Sequence, residues 1–177
     1  LGAAIAFAAS AGVASADTIV PSFVSVAGGG PYTWTYAAVH VGAGRVAAGD
    51  FFTIYDFAGF TGVSSAPADW TLSTALTTPA PAPLPLGDNP TVLNLTWTYS
   101  GPTIATAFPF LTPLGLFTAD SISATSGAVS WGSQDTGFDV VVDQNASGAT
   151  VAAVPEPSAL LVAGIGLLGF ALRRQRS

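Results

Sequence analysis

Between residues 17 and 153, hydrophobic and polar positions alternate in short runs separated by Gly, Pro, Asn and Asp. In YTWTYAAVHV (32–41), Tyr32, Trp34 and Tyr36 fall on one face and Thr33 and Thr35 on the other. This period of two predicts a half-buried strand. TVLNLTWTY (91–99) sets Leu93, Leu95, Trp97 and Tyr99 against Val92, Asn94, Thr96 and Thr98, and FDVVVD (138–143) places Phe138, Val140 and Val142 on an inner face. FFTIYDF (51–57) is apolar on both faces except at Asp56, which predicts a central strand. TWTY occurs at 33–36 and again at 96–99, too few copies for a repeat array, so it reads as strand chemistry recurring. No window between residues 17 and 150 gives a helical period, and TPAPAPLPLGDNP (78–90) reads as a Pro-rich extended loop or edge crossing. The elements predict an all-β fold, an antiparallel β-sandwich over residues 17–153.

The pattern changes at both ends. LGAAIAFAASAGVASA (1–16) is apolar and rich in small residues, and Ala14-Ser15-Ala16 fits the A-x-A pattern before a signal-peptidase cut, leaving Asp17 to open the mature chain. This signal segment has no charged n-region and no initiator Met, so it reads as truncated at its start; a buried Ala-rich helix is the alternative. At the other end, Ser158 to Leu172 carries no charge. As a helix it spans about 22 Å, short of the ~30 Å hydrocarbon core, with Pro157 able to start the helix and arginines able to snorkel. Arg173, Arg174 and Arg176 follow it. By the positive-inside rule this basic tail (173–177) stays in the cytoplasm and the domain lies outside.

Composition sharpens this picture. Only 8% of residues are charged, and there is no Cys, which removes disulfides, thiolate metal sites and a Cys nucleophile together. The section from Asp17 to Val154 holds nine Asp against one basic residue, Arg45, and an acidic surface excludes nucleic acid as a partner class.

Val154-Pro155-Glu156-Pro157-Ser158, an apolar run containing Gly164, Gly166 and Gly169, and an Arg-rich end follow in that order. Two prolines fix φ and restrict the residues before them, so Val154 to Pro157 should be extended, as a protease-like cleft requires. Glu156 is the only Glu in the chain. In motif, spacing and position, residues 154–177 resemble the PEP-CTERM sorting signal of Gram-negative bacteria. The resemblance implies recognition by exosortase, a membrane-embedded relative of cysteine-type transpeptidases, with cleavage near Pro155, Glu156 and Pro157. It further implies passage through the inner membrane as a single-pass intermediate, delivery to the cell surface or beyond, and an exopolysaccharide and biofilm setting. The same tail is also described as an ice-binding protein C-terminal segment, which characterises the tail and not the domain before it. A plain anchor on a stiff Pro stalk is the alternative. GDFFTIYDFAGF, APADWTLS, NPTVLNLTWTYSGP and LGLFTADS, within residues 49–132, are similar to the bodies of other exported PEP-CTERM proteins of unassigned function.

Sites for chemistry are sparse. Gly42, Gly44 and Ala47 copy a G-x-G-x-x-A fingerprint, but FFTIYDF follows too soon for the helix that would hold a pyrophosphate, so a Gly-rich hairpin or loop is expected. His40 is the only His, and the chain has neither H-E-x-x-H nor G-x-S-x-G; at a strand end it reads as structural or surface. Asp50, Asp56 and Asp69 could form carboxylate pairs, with few groups to tune them. Asp135, Asp139 and Asp143 share strand parity as a candidate calcium set, yet Asp139 and Asp143 lie about 13 Å apart along a strand, so a solvated face is expected. The Thr33/Thr35 and Thr96/Thr98 pairs suggest exposed hydroxyls for glycans or for ordering water.

The expectation is a non-enzymatic exported protein without catalytic residues, metal or cofactor. Its segments are signal 1–16, β-sandwich 17–153 and sorting signal 154–177, the last comprising motif 154–158, transmembrane helix 158–172 and basic tail. Its partners are signal peptidase, exosortase, the inner membrane in transit and exopolysaccharide. A membrane-anchored polysaccharide-binding module and an unusual hydrolase using Asp50, Asp56 or His40 are the alternatives.

Overall fold

The computed structural model describes residues 17–78, 87–106, 111–137 and 143–155. The signal segment, most of the Pro-rich run, residues 138–142, and Glu156 onward with the apolar span and basic tail lie outside the described residues. Among the described residues no helix is long and apolar enough to cross a membrane.

Among the described residues eleven strands form two antiparallel sheets, as the alternating pattern predicts. The first contains β1 (Thr18–Ala27), β2 (Tyr32–Val41), β9 (Leu111–Ser121) and β5 (Phe60–Ser65), in that order. The second runs β6 (Trp70–Ala75), β7 (Asn94–Tyr99), β4 (Phe51–Ile54), β10 (Ser126–Thr136), then the short β3 (Arg45–Val46) and β8 (Ile104–Ala105). β11 (Asp143–Ala153) pairs with β10 along its full length, from Thr136↔Asp143 to Ser126↔Ala153.

The sheets meet through rings that the period-two pattern points inward. On β2, Trp34, Tyr36, Ala38 and His40 are buried in alternation; on β7, Leu95, Trp97 and Tyr99 are. Phe117 of β9 sets its edge against Phe52 of β4 at 4.9 Å and against Trp70 of β6 at 5.1 Å, while Trp97 stacks on Phe52 at 5.2 Å. Edge-to-face and offset-stacked pairs of this kind add about 0.5–1.5 kcal/mol each beyond the apolar area they bury. The two TWTY strings lie in opposite sheets, with Trp34 and Trp97 both fully buried, so they are two inner faces and not a repeat.

β4 is central, between β7 and β10, as its two-sided apolarity predicts. It ends at Ile54, and Asp56 beyond it adopts φ 55°. β7 starts at Asn94 and not at Thr91, because the Asn94 side chain works in the adjoining loops. Its Oδ1 accepts from Asp56 N–H at 2.9 Å and its Nδ2 donates to Asp88 Oδ1 at 3.0 Å. The strand expected over 138–143 falls outside the described residues except for Asp143, which opens β11. β10 and β11, rich in Ser, Gly and Ala, had no strong hydrophobic alternation to announce them; their mutual register does.

The topology separates two poles. The chain enters the fold beside His40, Gly44 and Thr136. It leaves at the opposite end, where Ala153 pairs with Ser126 and Val154 reaches Thr125.

Candidate functional site

At the entry pole, the inward parity of Trp34, Tyr36 and Ala38 carries His40 into the interior, where it is fully buried. Its Nε2 lies 2.7 Å from Asp135 Oδ2 and its Nδ1 2.7 Å from Thr106 Oγ1. With Asp135 ionised, Nε2–H donates to the carboxylate and Nδ1 accepts the Thr106 hydroxyl. Asp135 is also fully buried, which corrects the solvated face expected for it. Burial holds its carboxyl above the usual carboxylate range; the hydrogen bond and charge of His40 pull the other way, and Asp17 and Asp50 add to the rise. Its second oxygen, Oδ1, has no hydrogen-bond partner among the described residues.

Asp50 is buried and staples two segments together. It accepts from Ala47 N–H, Thr136 N–H and Thr136 Oγ1–H at 2.6, 3.1 and 3.0 Å, tying the turn before β4 to the end of β10. The glycine-rich stretch is a turn followed by β3, with no helix after it, as its context predicts. Its glycines make room for a side chain: Gly42 has φ 118°, and a Cβ on Gly42 or Gly44 would collide with the Asp17 carboxylate. Asp17 is thereby seated in the fold immediately before β1.

A hydroxyl, an imidazole and a carboxylate in line resemble a proton relay. Here the imidazole and carboxylate have no exposed surface, so no substrate atom reaches them, and the relay cross-links β2, β10 and the segment after β8. Asp56 and Asp69 are not brought to His40; they occupy left-handed turn positions, φ 55° and 68°. Burial raises the Asp56 carboxyl, the Asn89 N–H opposes this, and Asp88 adds to the rise. No group of three or more His, Cys, Asp or Glu able to hold a metal occurs among the described residues. Asp139, of the candidate calcium set, lies outside them.

The exit pole is closed by a serine clamp that sequence reasoning missed. Ser121, the next inward position after Phe117 and Ala119, is fully buried and donates through Oγ to Ala58 O at 2.7 Å. The same Oγ accepts from Ser123 N–H at 2.9 Å. Ser123 Oγ donates to Val154 O at 3.0 Å and accepts from Thr125 N–H at 3.1 Å. Val154 N–H donates to Thr125 O, and Ala58 N–H to Ala153 O, each at 2.9 Å. Ala152 and Ala153 are fully buried. The signal for this in the sequence was the parity of Ser121 on an otherwise apolar inner face, an inward hydroxyl that has to find a partner.

Pro155, the first proline of the motif, is exposed directly after the clamp. It borders an open groove of about 600 Å³ whose walls include Phe60, Val92, Leu93 and Ile122. Ile122 is 74% exposed. Glu156 and Pro157 lie outside the described residues, as do Ala14 and Ala16 of the expected signal cleavage and Arg173, Arg174 and Arg176 of the tail.

No curated protein matches the chain. The family model of the PEP-CTERM protein-sorting motif matches residues 153–176, taking in the last residue of β11, the proline that leaves the clamp and the apolar run. The chain therefore carries a PEP-CTERM protein-sorting motif that begins at the end of β11, the mark of an exported protein that exosortase sorts.

Proposed function

We propose that the protein is a non-enzymatic β-sandwich passenger of the exosortase route: exported behind a signal segment, held through residues 158–172 at the inner membrane, then cut free to the cell surface or extracellular matrix. An exopolysaccharide-rich biofilm is the setting this reading gives it. The observation that carries the reading is the closure of the fold just before the motif. With Ala152 and Ala153 buried and Val154 bonded at both backbone groups, losing everything beyond Pro155 removes no described strand. The tail is thus an address separable from the body. Intact-mass measurement of extracellular protein tests this: a C-terminus near Pro157 is expected in cells with exosortase and an uncut membrane form in cells without it, and extracellular protein still ending at Ser177 would refute it.

A second reading, a polysaccharide-binding module, is favoured by one feature of the first sheet. Ser25, Thr35, Thr118 and Ser65 are register partners across all four strands, a row of hydroxyls on the outer face. Strand spacing sets such neighbours about 4.8 Å apart, a regular array of donors and acceptors for sugar hydroxyls. Thr33, Thr35, Thr96 and Thr98, expected to be exposed, are all half-buried, and Thr33 is bonded to Asp120 at 2.7 Å. Pull-down on the producing organism's own polysaccharide, comparing the native chain with Thr35→Val/Thr118→Val, decides this reading; equal retention would count against it.

A further inference from the structure

We propose that the protein pairs with a second copy of itself along β11, strand against strand, so that the second sheet continues from one molecule into the other.

An edge strand leaves a row of backbone N–H and C=O groups without a ladder partner, and folds defend such rows with Pro, charge, bulges or shortness. The other edges of this sandwich are defended. β1 carries Pro21 and a register break between Phe23 and Ser25, and β5 breaks register between Phe60 and Ser64. β6 and β8 are short, with six and two residues. β11 has none of these devices: it runs for eleven residues without Pro, Lys or Arg, and its ladder to β10 is unbroken.

The phase of that ladder shows which groups point outward. Val154 N–H donates to Thr125 O just beyond the Ser126↔Ala153 pair, while Ala153 C=O turns away from β10 to accept from Ala58 N–H. Ala153 is therefore a non-hydrogen-bonded position of the ladder, and by alternation Ser147 and Ala149 also aim their backbone groups away from β10. Both are exposed, with Gly148 between them, and Gly148 is the middle residue of β11. A two-fold axis at Gly148 overlays two antiparallel copies of β11 along their whole length. It sets Ser147 of one copy opposite Ala149 of the other, twice, for about four hydrogen bonds at the centre, with the ladder continuing to either side.

Electrostatics selects a second copy as the occupant. The chain carries a net charge of −6, so two copies repel wherever their carboxylates meet. β11 bears one charge, Asp143 at its first position, and this register places it opposite Ala153 of the other copy, at the far ends of the interface. The acidic molecule thus meets its own kind along an uncharged edge. A groove of about 620 Å³ lies beside that edge, between β11 and β1, with Pro21, Phe23, Ala149 and Val151 in its walls. Thr150 also lines it, with a buried Oγ1 that has no hydrogen-bond partner among the described residues. A strand added to β11 lies across the mouth of this groove, and its inward residues Ala146, Gly148 and Thr150 are small enough to sit beside β1.

The test uses the full chain in detergent, its mass read by sedimentation equilibrium and its fold by circular dichroism. Wild-type protein should be dimeric. Ser147→Asp/Ala149→Asp, which sets carboxylates opposite carboxylates, should weaken association about tenfold or more. Ser147→Lys/Ala149→Lys should do the same, and an equal mixture of the two variants should restore dimers containing one copy of each. Thr71→Asp/Ser73→Asp, on β6 at the other edge of the sheet, should leave the dimer intact. In the wild type, hydrogen exchange at the Ser147 and Ala149 amides should slow as protein concentration rises. A monomeric wild type, dimers that survive both like-charged variants, a mixture that stays monomeric, or exchange independent of concentration would each overturn the proposal.

Discussion

Asp135 shows how one buried carboxyl ties this fold to pH. Its proton is held more tightly in the folded protein than in the unfolded chain, chiefly through burial, and Asp56 is raised for the same leading reason. The stability linked to such groups is fully present below the unfolded carboxylate value of about 3.9 and is lost as pH rises through the folded value. Denaturant midpoints measured from pH 4 to 7 should therefore fall with rising pH, and Asp135→Asn, which keeps a polar partner for His40, should flatten that slope. Asp50 is a different case, because three donors converge on it. Asp50→Ala takes the carboxylate from the N–H groups of the half-buried Ala47 and Thr136 and should cost on the order of 1–3 kcal/mol apiece where water cannot replace it, read as a lowered thermal midpoint. The burial of His40 was legible in the alternation of Trp34, Tyr36 and Ala38. Its partners were not, because Asp135 and Thr106 lie 95 and 66 residues away and no periodicity encodes a contact between strands of different sheets.

At the scale of elements, the aromatic strands carry the core and the serine- and glycine-rich strands close it. Phe117 contacts Phe52, Trp70 and Trp97, so Phe117→Ala should cost about 3–5 kcal/mol, measurable by equilibrium unfolding. β2, β4 and β7 could be read directly because each alternates or saturates in apolar residues. β10 and β11 could not, since the inner face of SGAVSWGSQDT passes from Val129 and Trp131 to the polar Ser133 and Asp135, and DQNASGATVAA is made mostly of small and polar residues. What defines them is an unbroken ladder of eleven register pairs, a property of two segments together. Ending the chain after residue 142 would expose the β10 edge and the core over Ala152 and Ala153, and should abolish cooperative unfolding; ending it after Pro155 should leave the midpoint unchanged.

For the whole molecule, the decisive feature is that the chain enters at one pole and exits at the other, with a polar cross-link at the first and a serine clamp at the second. The all-β class, the central place of FFTIYDF, the inner faces of β2 and β7, and the sorting address are written in short stretches of chain, because each rests on local order: a period of two, prolines at fixed spacing, an apolar run before arginines. Tertiary structure alone decided that His40 meets Asp135 and Thr106, that four hydroxyls from four strands form one row, and that Val154 is clamped while Pro155 is free. These depend on which strands become neighbours and in what register, and that choice is made by burying the aromatic faces of two sheets against each other, a free energy of the whole chain that no short stretch contains.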